Sequence, residues 1–242
     1  MGLRSTIATP AGKQRYVRRI FATIADRYDL ITVVLSYGRD RTWKDRLMAL
    51  AAMTGDDRVL DLACGTGDLV FRAAEKARFA VGLDVTFRML QLAAAKTGRR
   101  RVPLVAGDML ALPFPASHFT VVTTGYGLRN VPDLEQAIDE IARVLVPGGR
   151  LLSLDFNRPT QPLLRAAYLL YLTIAGSALG FALHRDPDTY RYIPESIRHY
   201  PGAEGVARLL AQRGFTGVRV VPLLGGLMAI HTAVRLKPDL PF

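Results

Sequence analysis

The chain has 242 residues, half of them apolar and 22% charged, which suffices to bury one large core, alone or carrying a small lid. A single cysteine, Cys64, excludes an internal disulfide and a multi-thiolate metal site, and no metal is expected. The formal charge of +11 attracts nucleic acid, anionic lipid or acidic ligands, while the polar, basic start MGLRSTIATPAGKQRYVRR lacks the apolar run of a secretory signal. A cytoplasmic location is therefore expected. The basic residues are scattered, with clusters at Arg15, Arg18, Arg19 and at Arg99, Arg100, Arg101. Neither cluster alternates with aromatics as a single-strand binding groove does.

In chain order, residues 15–50 read as helical, ending near Thr54-Gly55. From Arg58 short β-rich runs alternate with helical stretches: RVLDLA (58–63), FAVGLD (79–84), VPLVAG (102–107), FTVVTT (119–124) and RLLSLDF (150–156). The helical segments between them lie at about 68–77, 86–97 and 133–146, the last opened by Pro132-Asp133 and stopped by Pro147-Gly148-Gly149. Such alternation predicts right-handed βαβ units and a parallel sheet covered on both faces, a doubly wound α/β fold. After Pro159 the pattern breaks. A mostly apolar stretch (161–183) is followed by a polar loop, a helix at about 202–213 and two strands near 215–222 and 227–235, close enough to be antiparallel neighbours. The stretch LLRAAYLLYLTIAGSALGFAL (163–183) approaches the length of a membrane span. It contains Arg165, Gly176 and Gly180, and spanning would pull the last strands from the sheet, so a helical lid is expected. The expected organisation is one unit: a helical cap (1–54), a cofactor-binding core (55–160), a lid (161–200) and a C-terminal helix with a strand pair (201–242).

The strongest local signal is Asp61-Leu-Ala-Cys-Gly65-Thr66-Gly67-Asp68, which follows a strand and opens a helix. Gly65 and Gly67 let the backbone turn tightly and let a ligand approach it. The third glycine of a dinucleotide fingerprint is missing. Asp84 ends the second strand, where a carboxylate accepts hydrogen bonds from ribose hydroxyls. Asp108, in Ala106-Gly107-Asp108-Met109, ends the third and suits an adenine amino group. Single acids at strand ends are commonly helix caps or solvated. Three at successive tips beside a glycine turn supply what an adenosine needs.

DLACGTGD resembles the first motif of class I methyltransferases. More narrowly, the chain resembles the ubiquinone/menaquinone-biosynthesis C-methyltransferase family in FATIADRYDLITVVLSYGRDRTWK (21–44), ALPFPASHF (111–119), YGLRNVPD (126–133), RVLVPGGRLLSLDFNRP (143–159) and YRYIPESIRHYPG (190–202). The ALPF and VLxPGGxL portions are widely shared, and the Tyr28-Asp29, GLRNV and YRYIPESI portions are narrow. Residues 163–186 depart from the family pattern. The resemblance implies a seven-stranded sheet with an antiparallel last strand, S-adenosyl-L-methionine as cofactor, and contacts at Thr66, Asp84, Asp108, Met109 and near Gly125. It also implies methylation of a ring carbon of a prenylated quinol such as demethylmenaquinol. Another lipophilic small molecule, or a silent adenosylmethionine-binding scaffold, are the alternatives.

Carbon methylation gains from removing a phenolic proton, so a base or a cation near the phenolate is useful. Tyr126, Arg129 and Asn130, just after the fourth strand, are the catalytic candidates: Arg129 for the phenolate, Asn130 and Tyr126 for orientation. A strand-end salt bridge and core packing are the bland alternatives for Arg129 and Tyr126. His231 reads as a core histidine, His118 as solvated, and His184 and His199 flank the lid, with His199 a weak base candidate. RNA cytosine-C5 methylation needs a nucleophilic cysteine, whereas Cys64 lies inside the glycine turn. Amino-directed nucleic-acid enzymes carry Asn or Asp before a proline pair after strand four, where this chain has Tyr-Gly-Leu-Arg-Asn. Nucleic acid is therefore not an expected partner. The quinol is, together with a peripheral contact at the inner face of a membrane, and a homodimer is left open.

Overall fold

The computed structural model describes residues 3–96 and 101–237; Arg99 and Arg100 of the second basic cluster lie outside them. The N-terminal part is α1 (Leu3–Ile7), α2 (Pro10–Ile24), a 3-10 turn (Ala25–Arg27), α3 (Tyr28–Leu35) and α4 (Asp40–Ala51). Helix α2 starts where Thr9 accepts a hydrogen bond from the Gly12 N–H at 3.1 Å with Pro10 in the first turn. The expected continuous helical region is thus several helices. The sharpest break is at Tyr37 (φ 54°) and Gly38 (φ 73°), two left-handed residues that turn the chain before α4.

Next come β1 (Arg58–Leu62), α5 (Asp68–Lys76), β2 (Phe79–Asp84), α6 (Phe87–Lys96), β3 (Leu104–Ala106), β4 (Phe119–Gly125), a 3-10 turn (Leu128–Asn130), α7 (Leu134–Val144) and β5 (Leu145–Phe156). Helix α7 is capped by Asp133, which accepts from the Gln136 N–H, and buries Ala137, Ile138, Ile141 and Val144, one stripe at helical spacing. It ends at Val144, earlier than the glycines suggest. Pro147-Gly148-Gly149 lies inside β5, where the pairing with β4 jumps from Phe119–Leu145 to Val121–Arg150. The chain closes with α8 (Pro162–His184), α9 (Tyr192–His199), α10 (Gly202–Gln212), β6 (Phe215–Leu223), a 3-10 turn (Leu224–Gly226) and β7 (Met228–Arg235). Helix α9 occupies what reads in sequence as a polar loop.

One seven-stranded sheet runs in the order β3-β2-β1-β4-β5-β7-β6. β7 is antiparallel to both β5 and β6, and the pairs among β1–β5 are parallel. The fold is therefore the expected doubly wound sheet with an antiparallel last strand. β1 is covered on both faces: Val59 belongs to one buried cluster with Leu47, Val70 and Ala73, and Leu60 and Leu62 to another with Ile138, Ile141 and Val206. Strand order reverses between β1 and β4, where open parallel sheets form a crevice at their carboxyl ends. α2, α3 and α9 stand over that crevice.

Helix α8 is long and apolar enough to cross a membrane by length and composition. It buries Tyr168, Leu169, Leu172, Gly176 and Gly180. Close packing needs both glycines, because a Cβ on Gly180 would come 2.5 Å from the Asp186 carbonyl and one on Gly176 would lie 3.2 Å from Tyr190 Cβ.

Candidate active site

Three clefts meet over the crevice. The first, about 720 Å³, lies at the tips of β1, β2 and β4 and includes Gly65, Asp84, Asp108, Met109, Gly125 and Asn130. The second, about 650 Å³, is mostly apolar; α2, α3 and α9 wall it with Ile24, Leu35 and Ile193, and Arg129 joins them. The third, about 1230 Å³, is the most polar of the three and includes Asp40, Lys44, Asp61, Thr66 and Asp68. Tyr28 and Tyr126 border all three.

The glycine turn is held from below. Asp84 accepts from the Gly65 N–H at 2.8 Å and from the Thr86 N–H at 2.7 Å, so β2 fixes the shape of the β1–α5 turn. Gly65 has φ 54°, and a Cβ there would project towards the Tyr28 ring edge at 3.7 Å, into the cleft. Gly67 (φ 92°) faces the Phe71 ring and caps α5; it lines none of these clefts. Thr66 donates its hydroxyl to Asp29 at 2.6 Å. Asp61 accepts from Thr123 at 2.7 Å with one oxygen, while its other oxygen, Oδ2, is buried with no partner. Burial pushes that carboxyl up to about 7, against the opposing pull of Thr123 and Lys44. Burial likewise raises Asp84. Asp108 receives the Leu110 N–H at 3.0 Å, the Gln14 side-chain amide and, at 3.4 Å, Arg18.

The segment after β4 divides between clefts. Tyr126, with φ 61°, donates its hydroxyl to Asp40 at 2.7 Å. Asp40 in turn pairs with Lys44 at 2.7 Å, and Lys44 with Asp68 at 2.8 Å. Burial disfavours the Lys44 charge, but the two carboxylates outweigh it and hold the ammonium above its usual range. Arg129 faces the second cleft and Asn130 the first. Arg129 is buried and ion-paired to Asp155 at 3.3 Å, lies 5.0 Å over the Phe156 ring, and bonds Ser196 of α9. Its backbone N–H also reaches Asp155, at 3.0 Å. Asn130 donates to the Tyr126 carbonyl at 2.7 Å, leaving its own Oδ1 buried and unpartnered.

The histidines stand away from this centre. His231 is buried between Ser153 and the Ala203 carbonyl, and His184 meets the Tyr190 hydroxyl at 2.9 Å. His199 is exposed on α9 and borders none of the three clefts. Cys64 packs against Gly82, and burial pushes its thiol up, opposite to what a nucleophile needs. Among the described residues no group of His, Cys, Asp and Glu is arranged to hold a metal ion.

A model of the ubiE/COQ5 methyltransferase family matches residues 9–235. The chain belongs to that family. It is 37% identical over 235 residues to the demethylmenaquinone methyltransferase of Roseiflexus castenholzii (strain DSM 13941 / HLO8), covering 96% of this chain and 98% of that protein. It is 40% identical over 219 residues to the demethylmenaquinone methyltransferase of Mycolicibacterium gilvum (strain PYR-GCK), covering 90% and 94%. The fold is shared with a SAM-dependent methyltransferase of Thermotoga maritima (TM-score 0.64, 16% identity, 90% of this chain and 99% of that one). It is also shared with an S-adenosylmethionine-dependent methyltransferase of Mesorhizobium loti (0.59, 18%, 79% and 96%). This family member is therefore an S-adenosylmethionine-dependent methyltransferase.

The residues present fit that cofactor. The orphaned Asp61 oxygen suits an ammonium, and the Gly65 turn leaves open the space a side chain would fill. Sequence reasoning did not single out Tyr28, Asp155 or Ser196 as parts of the site. Tyr28 sits inside a quoted motif, but only the packing of α3 against the glycine turn brings it to the junction.

Proposed function

We propose that this chain transfers a methyl group from S-adenosyl-L-methionine to a ring carbon of a prenylated quinol, demethylmenaquinol or a close relative. One observation carries the reading: the strand-tip cleft, bordered by the carboxylates Asp84 and Asp108, meets the helix-walled cleft at Tyr28 and Tyr126, and a buried guanidinium, Arg129, stands on the helix side.

The cofactor supplies an electrophilic methyl on a sulfonium. Asp84 would accept its ribose hydroxyls, Asp108 its adenine amine and Asp61 its ammonium, with Thr66, Met109 and the backbones of Gly65 and Gly125 completing the walls. At the other side, the Arg129 charge favours the phenolate form of the acceptor and so raises electron density at the neighbouring ring carbon. Asn130, open at Oδ1 and facing the cofactor cleft, helps to set the boundary between the two. Tyr126 acts through its ring and its strained backbone, since its hydroxyl is committed to Asp40. The aromatic and aliphatic walls of the second cleft exclude water and hold the ring close to the sulfonium.

The prenyl tail would leave the second cleft near α3 and α8, where Tyr37, in the turn after α3, stacks on Tyr171 of α8 (centroids 5.5 Å apart). Both helices expose large apolar side chains, Leu30, Val33 and Val34 on α3, and Leu170, Ile174 and Phe181 on α8. This supports a cytoplasmic enzyme in peripheral contact with the inner face of the membrane.

The test is turnover with methyl-labelled cofactor on quinols of increasing tail length, in reduced and oxidised form. Methylation at carbon, only on the reduced ring, is expected. Each buried CH₂ contributes about 0.8 kcal/mol at most, or about four-fold, so KM should fall at least several-fold per isoprene unit of five carbons and then plateau, with kcat nearly constant. Equal activity on the oxidised ring, or an O-methyl product by NMR, overturns the reading.

A further inference from the structure

Helix α2 covers both the cofactor cleft, through Gln14, Val17 and Arg18, and the apolar cleft, through Ile20 and Ile24. Between those contacts and the helix start lies Lys13, which borders neither cleft. Its Nζ donates to the Arg129 carbonyl at 3.1 Å and to the Val131 carbonyl at 2.6 Å. These carbonyls flank Asn130, so one ammonium grips the backbone on both sides of it. The same turn is held from the other side by Asp155, which receives the Arg129 backbone N–H.

We propose that Lys13 is a positioning residue for methyl transfer: its ammonium clamps the Arg129–Val131 turn, so that Arg129 faces the acceptor cleft and Asn130 the cofactor cleft. The proposal rests on the functional reading above and adds to it. Lys13 sits more than a hundred residues from the turn in sequence, and its hydrogen bonds to the turn are to its backbone. Two hydrogen bonds from a charged donor are stronger than two from a neutral amine, so the clamp weakens when the lysine loses its proton.

Several groups bear on that proton. Burial pushes Lys13 down to about 8, the neighbouring Arg129 charge pushes the same way, and Asp155 opposes both. Helix α9 packs on α2 through the Tyr16–Tyr192 ring pair, at 5.4 Å, and brings Glu195, which is itself paired with Arg198 at 2.7 Å. The consequence for stability has the opposite sign to that for activity. Between about pH 8 and 10.5 the unfolded chain holds a proton on this lysine that the folded chain has released, so folding stability rises with pH across that window while the clamp weakens.

The experiment compares wild type with Lys13→Met and Lys13→Arg on a short-tailed quinol. At pH 7, Lys13→Met is expected to lose about 10- to 100-fold in kcat, the scale of a small misplacement at a reacting centre, with adenosylmethionine affinity within about three-fold of wild type. As pH rises from 6.5 to 9.5, the wild-type to Lys13→Met ratio of kcat should fall several-fold, and the Lys13→Arg to wild-type ratio should rise. Ratios cancel the acceptor's own ionisation. Parallel loss of kcat and cofactor affinity, a ratio flat across that range, or unchanged kcat in Lys13→Met overturns the proposal. Wild type inactive on every quinol defeats the functional reading instead. The clamp is then read without an acceptor: carbon-labelled lysine NMR should show Lys13 titrating near pH 8, and titration near 10.5 overturns it.

Discussion

At the residue scale, Asp61 is the most informative side chain in the site. It is 1% exposed, has one satisfied oxygen and one orphan, and carries a carboxyl raised to about 7. A raised carboxyl favours folding below its unfolded value, and that contribution is lost as pH climbs through about 7, where the charge must be held uncompensated. An ammonium beside Oδ2 supplies the compensation. Binding of S-adenosylhomocysteine should therefore strengthen about ten-fold between pH 6 and 8, following the ionised fraction. In Asp61→Asn the dependence should vanish, leaving weak, flat binding by calorimetry. Identical pH profiles for the two proteins would remove Asp61 from the cofactor site.

At the scale of elements, the Arg129–Asp155 pair fastens the turn after β4 to the tip of β5 and, through Ser196, to α9. Breaking a buried pair from one side leaves an uncompensated charge, which costs about 3–5 kcal/mol. Arg129→Met should be destabilised on that scale, whereas the double variant Arg129→Met with Asp155→Asn should regain much of the loss. Turnover should stay low in both, since neither has a cation facing the acceptor. Thermal melts and kcat on the same preparations check this, and restored turnover in the double variant would make Arg129 purely structural. The same elements mark what could be read in advance. Strands β1, β2, β4 and β5 were legible because a parallel sheet buried on both faces writes continuous apolar runs, and α7 because its cap and stripe are local. The break at Tyr37-Gly38 was not, because apolar spacing continues across it. α9 was hidden by its charges: Glu195, Arg198 and His199 look like a solvated loop, yet Glu195 and Ser196 are buried. At the clefts, the acids at strand ends are read from position, whereas Tyr28 at the junction, and Lys13 and Ser196 on Arg129, arrive through contacts between distant segments, which no local pattern encodes.

At the scale of the whole molecule, charge and apolar surface combine. The chain carries a formal +11 and exposes Ile174 (61%) and Phe181 (66%) on α8, and Leu30, Val33 and Val34 on α3. A basic protein with such a face should bind anionic vesicles, and salt should weaken the electrostatic share as the Debye length falls to about 3 Å at 1 M. Replacing Ile174 and Phe181 together with serine should lower vesicle binding about ten-fold or more without shifting the melting temperature, since exposed apolar side chains add to partitioning and little to folding. Flotation with no bound wild-type protein at low salt would reject the contact. Association that resists carbonate would instead make α8 a spanning helix.

The meeting of three clefts at Tyr28 and Tyr126 also bears on how such an enzyme changes over evolutionary time. The proposed donor side is built from strand tips and their turns, each braced by the sheet, so alterations there disturb the fold itself. The proposed acceptor side is built mostly from α2, α3 and α9, which lie over the crevice and meet the strand tips at Tyr28, at Asp29 on Thr66 and, from α2, at Gln14 and Arg18 on Asp108. Under that reading a lineage can trade the helical residues that line the apolar cleft alone, such as Ile24, Leu35 and Ile193, while keeping those of α2 and α3 that contact the strand tips.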